Sequence, residues 1–370
     1  MSRLIYFDHA ATTPLDKRVR QAMDQYLNGS YGNPSSMHWA GREAHAAVDE
    51  ARADVAALIG AQSGEIVFTG SGTESDNLAL RGVLERSGGG DHLIVTAFEH
   101  PAIIETARYL ETRGVEVTYL PVSTDGVVHP ETLAQALRSN TRLVSIMSAN
   151  NVIGTIQPVA ELAELAHRHG ALFHTDAVQA AGKVPLDVSR TPIDLLSLSA
   201  HKIHGPKGVG ALYVRTGVDL RPIVFGGGQE RGLRSATENV PGLVGFGRAA
   251  HIARSEMGAE TARLVGLREE LFDGITAAIP NAYFIGDRYR RLPGHLCLGF
   301  AGQEGAAVRL LLELDALGIA VSSGSACSAN HAGEPSYALT AMGLDPIRAR
   351  GSLRITLGRG NTEAEVARFL

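Results

Sequence analysis

Two lysines stand in the stretch Ser199-Ala-His-Lys-Ile-His-Gly-Pro-Lys207, and their settings differ. Lys202 comes directly after an apolar run and before the Gly205-Pro206 turn, a spacing that turns its side chain into a cleft. An amine in a poorly hydrated cleft loses basicity and can form a Schiff base with an aldehyde cofactor. Taken alone, such a lysine is more often a surface turn residue, and Lys207, further into the turn, is read as solvated. Asp176 tips the balance. It ends the run Phe173-His-Thr-Asp176, and Gln179 follows at a spacing that can face the same cleft. A buried carboxylate needs a partner, and a pyridinium nitrogen supplies one; an acid on the ring nitrogen and a lysine on the aldehyde is how pyridoxal phosphate is held. Gln179 could then donate to the phenolic oxygen. For Asp176 alone, helix capping or a buried salt bridge carries about equal weight.

A third element, Thr69-Gly-Ser-Gly-Thr-Glu-Ser-Asp-Asn77, follows a strand signal and opens a helix, so its amides from Gly72 on, with Thr73, can hold a phosphate at the positive helix end. It has neither the lysine of a P-loop nor dinucleotide G-x-G-x-x-G spacing. His100, in Glu99-His-Pro101, follows another strand signal and could stack on a cofactor ring, although a lone histidine is more often a hydrogen-bonded core residue. Of the two cysteines, Cys297 lies in the apolar run His295 to Phe300 and reads as a buried strand thiol. Cys327 stands among Ser, Gly, Ala and Asn, with no apolar face to bury, and reads as an exposed nucleophile.

Positioning these groups takes a large α/β lobe. From about Ile66 to Arg215, short β-branched runs alternate with amphipathic stretches. Strands are expected at Ile66 to Thr69, Leu93 to Thr96, Val115 to Leu120, Leu143 to Ser148, Ala171 to Asp176, Asp194 to Ser199 and Val209 to Val214. Helices are expected at Ala102 to Arg113, Pro130 to Leu137 and Pro158 to His169, with Gly114 and Gly170 as C-caps. Val240 to Leu271 reads as one long helix or a broken pair, and further strand and helix signals follow. The expected division is a large domain over 15–254 and a small domain formed by 1–14 with 255–370, which carries the cysteine loop. The chain ends inside a helical signal, leaving room for further C-terminal sequence.

The length of 370 residues supports two lobes. Lys and Arg number 34 against 39 Asp and Glu, so the basic excess that nucleic-acid binding requires is missing. The apolar run Leu4 to Phe7 is too short for a signal peptide or a membrane span, and two cysteines make no disulfide framework; a soluble, cytoplasmic protein with no membrane partner is expected. The pairs His167 with His169 and His201 with His204 lack zinc-motif spacing, and no metal is expected.

Tyr6-Phe-Asp-His-Ala-Ala-Thr-Thr-Pro14, Gly72 to Asn77, Asn150-Asn-Val-Ile-Gly154, Ser199 to Lys202, Arg231-Gly-Leu-Arg-Ser-Ala-Thr237 and Ser322-Ser-Gly-Ser-Ala-Cys327 together resemble signatures of the cysteine desulfurases, class V aminotransferases of fold type I. The resemblance implies a large lobe with a mostly parallel seven-stranded sheet, a smaller α+β C-terminal lobe, and pyridoxal 5'-phosphate as cofactor. It makes Lys202 the Schiff-base lysine, Asp176 the partner of the ring nitrogen, Gln179 that of the phenolic oxygen, and His100 the stacking residue and a proton carrier. It gives the phosphate to Gly72, Thr73, Ser199 and His201, with Thr237 serving the neighbouring subunit's phosphate in a homodimer. Asn151, also a cofactor-binding residue, and Arg354 would take the substrate carboxylate, and Cys327 would accept sulfur from L-cysteine as a persulfide, to be passed to an iron-sulfur scaffold or a tRNA-thiolation carrier. Gln229 stands where many members have His, and 328–334 is longer than usual. A selenocysteine lyase or another fold type I aminotransferase would share Lys202 and Asp176 but needs no Cys327, and the intact set from His100 to Arg354 argues against a non-catalytic scaffold.

Overall fold

The computed structural model describes residues 4–85, 90–324 and 335–370, and Cys327 and 328–334 lie outside the described residues. A short strand β1 (Ile5–Tyr6) leads into helices α1 (Lys17–Asn28) and α2 (Trp39–Leu58). The alternating region follows as β2 (Ile66–Thr69), α3 (Gly72–Leu84), β3 (His92–Thr96), α4 (Pro101–Glu111), β4 (Glu116–Leu120), α5 (Pro130–Ala136), β5 (Thr141–Ser145), α6 (Val159–Arg168), β6 (Leu172–Asp176), β7 (Leu195–Ser199) and β8 (Gly210–Val214).

These seven strands form one sheet in the order β2-β8-β7-β6-β5-β3-β4. Strands β3 to β7 pair in parallel, while β8 runs antiparallel to both β7 and β2. Both faces are covered, which is why the strands read as continuous apolar runs rather than alternating ones. Ile94, Val144 and Leu196 pack toward α2, α6 and the long helix α7 (Val240–Ala278); Leu93, Leu143 and Leu195 pack toward α3 and α4.

The choice between one long helix and a broken pair resolves in favour of a single 39-residue α7. Gly247 serves close packing: a Cβ there would lie 2.5 Å from Ala51 Cα, so α2 and α7 approach at a distance no other residue permits. Helix α7 crosses position 254 without interruption. Its first half belongs to the core under the large sheet, whereas Leu264, Leu267, Leu271 and Ile275 pack with Ile5 and Phe7 in a separate core. That smaller lobe is α+β. Its sheet has the order β12-β13-β10-β9, from β9 (Ala282–Phe284), β10 (His295–Phe300), β12 (Ser322–Ser323) and β13 (Leu353–Thr356), while β1 pairs in parallel with β11 (Ile319–Ala320). Gly114 and Gly170 take φ of 86° and 78° just past α4 and α6, the left-handed C-terminal geometry expected of them.

The loop from Gly226 to α7 is fastened to the large lobe by Glu230. This residue is 7% exposed, has φ of 49°, and its carboxylate accepts from both terminal nitrogens of Arg52 at 2.6 and 2.7 Å and from the Phe68 amide at 2.8 Å. Removing one member of a buried bidentate pair strands the other charge. Glu230→Ala is therefore expected to lower stability by about 3 kcal/mol, read as a fall in the urea midpoint with an unchanged denaturant slope; an unchanged midpoint would contradict the anchoring role.

Candidate active site

The parallel strands deliver their chemistry at their C-terminal ends, where open α/β sheets bind ligands. Asp176 is the last residue of β6, Ser199 the last of β7, and His100 and Asn151 follow β3 and β5. Lys202 ends a tight 3-10 turn, Ala200–Lys202, immediately after β7. A cleft of about 400 Å³ gathers these residues with Gly72, Thr73, Gln179, His201 and Arg354, and Asp8, Asp76 and Ser322 complete its polar lining. Its volume falls within the usual range for small-molecule sites.

Lys202 Nζ is held at the mouth of the cleft, donating to Ala10 O at 2.5 Å and Ala11 O at 2.7 Å. Asp176, 6% exposed, accepts from the Val178 amide at 2.9 Å. Burial raises its pKa, and His100 and Lys202 pull the other way. His100 caps α4: its Nδ1 accepts from the Ala102 amide at 3.1 Å, with Pro101 at the first helical position. The neutral ring therefore carries its proton on Nε2. Burial lowers the His100 pKa, Asp176 opposing and Lys202 adding to the fall. Ser71 caps α3 through the Glu74 amide, so the positive end of this helix, with Gly72 and Thr73, is presented at the cleft wall.

Arg354 enters from the other lobe. It is 1% exposed on β13, opposite Ser322 and Cys297, donating through its two terminal nitrogens to Asn151 O at 3.0 Å and Asp8 Oδ1 at 2.9 Å. A guanidinium has five N–H donors, so donors remain for a carboxylate.

Thr237 is the one described site residue that this cleft does not gather; it is exposed on the loop before α7. Lys207 is exposed, and Cys297 is fully buried, its pKa pushed up to about 12 by burial. The four histidines considered for metal have other partners: His167 with Asp194 at 2.7 Å, His169 with Leu165 O, His201 with Thr12, and His204 with Pro14 O. Asp8 and Asp76 were missed from sequence. Asp8 lies within the Tyr6 to Pro14 motif, and Asp76 lies one helical turn after Gly72, on the same face of α3, a spacing that could have pointed to it.

The aminotransferase class-V family profile matches residues 5–369. The chain belongs to this family. Its members are pyridoxal-phosphate enzymes. A cysteine desulfurase IscS from Dictyoglomus turgidum is 47% identical over 99% of this chain and 92% of its own length. A solved NifS-like protein superposes with a TM-score of 0.92 at 41% identity, covering 99% of this chain and 97% of that one. A structure of SspA in complex with cysteine has a TM-score of 0.85 at 36% identity over 95% of this chain and 98% of the other.

Two further acids lie close to Asp176. Asp76 is fully buried with its pKa raised well above the carboxylate range by burial and by the nearby Asp176. Glu99 is 0% exposed, and burial raises its pKa to about 8 although Oε1 accepts from Thr96 Oγ1 at 2.6 Å and the Met147 amide at 2.9 Å. An acid raised in this way keeps its proton in the folded chain between the ordinary glutamate range and about pH 8, where the unfolded chain has lost it. Its contribution to stability therefore falls as pH rises through that window. Glu99→Gln should remove this component, so the stability of the variant relative to the parent should rise by about 1 kcal/mol or more from pH 5 to pH 8 in urea unfolding; a pH-independent difference would contradict a protonated Glu99.

Proposed function

We propose that this chain is a pyridoxal 5'-phosphate-dependent cysteine desulfurase acting in the cytoplasm, which takes sulfur from L-cysteine as a persulfide on Cys327 and releases L-alanine. The observation that carries this is the convergence of Lys202, Asp176, His100, Gln179 and Arg354 on one cleft, in a chain 47% identical to a cysteine desulfurase over nearly its whole length. The donor set suits the cofactor: an amine for its aldehyde, a buried carboxylate for its ring nitrogen, and a helix N-terminus with Thr73, Ser199 and His201 for its phosphate.

When bound, pyridoxal 5'-phosphate supplies an electron sink that weakens bonds around the substrate Cα. Lys202 would hold the cofactor and then move the Cα proton. Asp176 would keep a positive charge at the ring nitrogen, Gln179 would donate to the phenolic oxygen, and His100 would stack on the ring and exchange a proton through Nε2. Arg354 and Asn151 bind the substrate carboxylate, a planar group that suits the guanidinium fork. Cys327, as thiolate, would attack the substrate sulfur; a sulfur–sulfur bond forms, the carbon–sulfur bond breaks, and its electron pair stays with Cβ of the carbon fragment, which takes up a proton there and regains one at Cα to leave as alanine. The persulfide passes to an acceptor protein, an iron-sulfur scaffold or a tRNA-thiolation carrier.

A homodimer accounts for Thr237. Exposed and outside its own cleft, it would reach the phosphate held by a second copy. The large domain is taken as 15–254 and the small one as 1–14 with 255–370. Among the described residues no helix is long and apolar enough to cross a membrane, which fits the proposed compartment.

The test compares two thiols. With L-cysteine, Cys327→Ala should keep the cofactor yet lose about a hundredfold or more in sulfide release, about 2.7 kcal/mol in barrier, and carry no persulfide by mass spectrometry, while Cys297→Ala retains both. Sulfide release from Cys327→Ala at the parent rate would reject the persulfide route.

A further inference from the structure

Gln179 lines the cleft and also a second cavity of about 60 Å³, and Lys183 lines only the second. The chain is tightly held at Lys183. A Cβ on the preceding Gly182, at φ of 71°, would lie 2.9 Å from Ala253 Cβ and 3.0 Å from Ile203 Cγ2, so this turn is pressed between α7 and the segment carrying Lys202. The Lys183 amide donates to Ala180 O at 3.0 Å, and its carbonyl accepts from Thr261 Oγ1 on α7 at 3.0 Å. With the backbone fixed on both sides, the side chain reaches back so that Nζ donates to Gln179 Oε1 at 3.2 Å. Gln179 is itself 5% exposed, and its Nε2 donates to Ala10 O at 2.9 Å.

These two neighbours determine which way the amide faces. A carbonyl only accepts, so Nε2 must meet Ala10, and Oε1 then meets Lys183, which as an ammonium only donates. A flipped amide would lose the Ala10 contact in any state and, while Lys183 keeps its proton, a charge-assisted contact as well. In the observed orientation Nε2 uses one proton on Ala10 and has a second for the cleft that Gln179 lines. The environment of Lys183 is otherwise unfavourable to its charge: burial, with Lys202 and Arg354 adding to it, lowers the amine's pKa to about 7.

We propose that Lys183 is a positioning residue acting through Gln179: it locks the amide so that the second Nε2 proton faces the phenolic oxygen of the cofactor. This rests on the cofactor assignment under Proposed function.

The test uses holoenzyme loaded with pyridoxal 5'-phosphate and reads the pH midpoint at which the visible band of the bound cofactor changes, in the parent, Lys183→Met, Lys183→Arg, Gln179→Leu and the double variant Lys183→Met with Gln179→Leu. Lys183→Met should raise the midpoint by about one unit, a tenfold change, because the phenolic oxygen loses an oriented donor. Lys183→Arg, which keeps charge and donor, should restore most of the parent value. On the Gln179→Leu background the Lys183→Met shift should vanish, since a residue acting through another has no further effect once that residue is gone. Lys183→Ala takes the place of the methionine variant if that chain does not fold. An unchanged midpoint in Lys183→Met overturns the role of Lys183, and so does an equal shift with and without Gln179, which would mean that the ammonium acts through its charge alone. A parent protein with no visible band would overturn the cofactor assignment and this inference with it.

Discussion

A buried carboxylate at the C-terminal edge of a parallel sheet organises the site. Asp176 receives one backbone hydrogen bond, from Val178, and burial makes its charge costly, so it needs positive charge nearby. The residues that face it from neighbouring segments, His100 after β3 and Lys202 after β7, favour its ionised form while being driven toward neutrality themselves or held by backbone carbonyls. A cationic group in the cleft beside Asp176 would favour its ionised form further. The fold supports the arrangement with a sheet apolar on both faces, whose strand ends are fixed to within the pairing register.

The second constraint is the joint between lobes. The segment after β1 belongs by packing to the smaller core through Ile5 and Phe7, yet it supplies Asp8 to Arg354 and the carbonyls of Ala10 and Ala11 to Lys202. It also supplies Ala10 O to Gln179. One short stretch of chain thus touches the groups assigned to cofactor and to substrate carboxylate, and α7 runs unbroken from one core into the other behind it. The lobes are registered against each other by the same contacts that orient the site.

Much of this was legible in sequence because the signals are local. Asp176 ends a buried strand, Lys202 and His100 each follow one, and Gly72 and Thr73 open a helix capped by Ser71, so type and placement could be read over a few residues. Seven strands were recoverable for the same reason; their ends shifted, β5 stopping at Ser145 rather than Ser148. The Asp8–Arg354 pair was not recoverable, because its members are 346 residues apart and meet only when the lobes pack. Lys183 and Glu99 read as ordinary charged residues, since nothing in their neighbours reveals that one lies behind Gln179 and the other is wholly buried. One long helix or a broken pair was left open for α7, whose Gly247 admits α2 at close range.

The central claim, that Asp176 is the counter-charge for a cationic ring nitrogen, is tested most directly by the affinity of the apoprotein for pyridoxal 5'-phosphate, titrated by fluorescence in the parent and in Asp176→Ala. The loss of a buried charge partner should weaken binding by about tenfold or more. Equal affinity in the two proteins would contradict it.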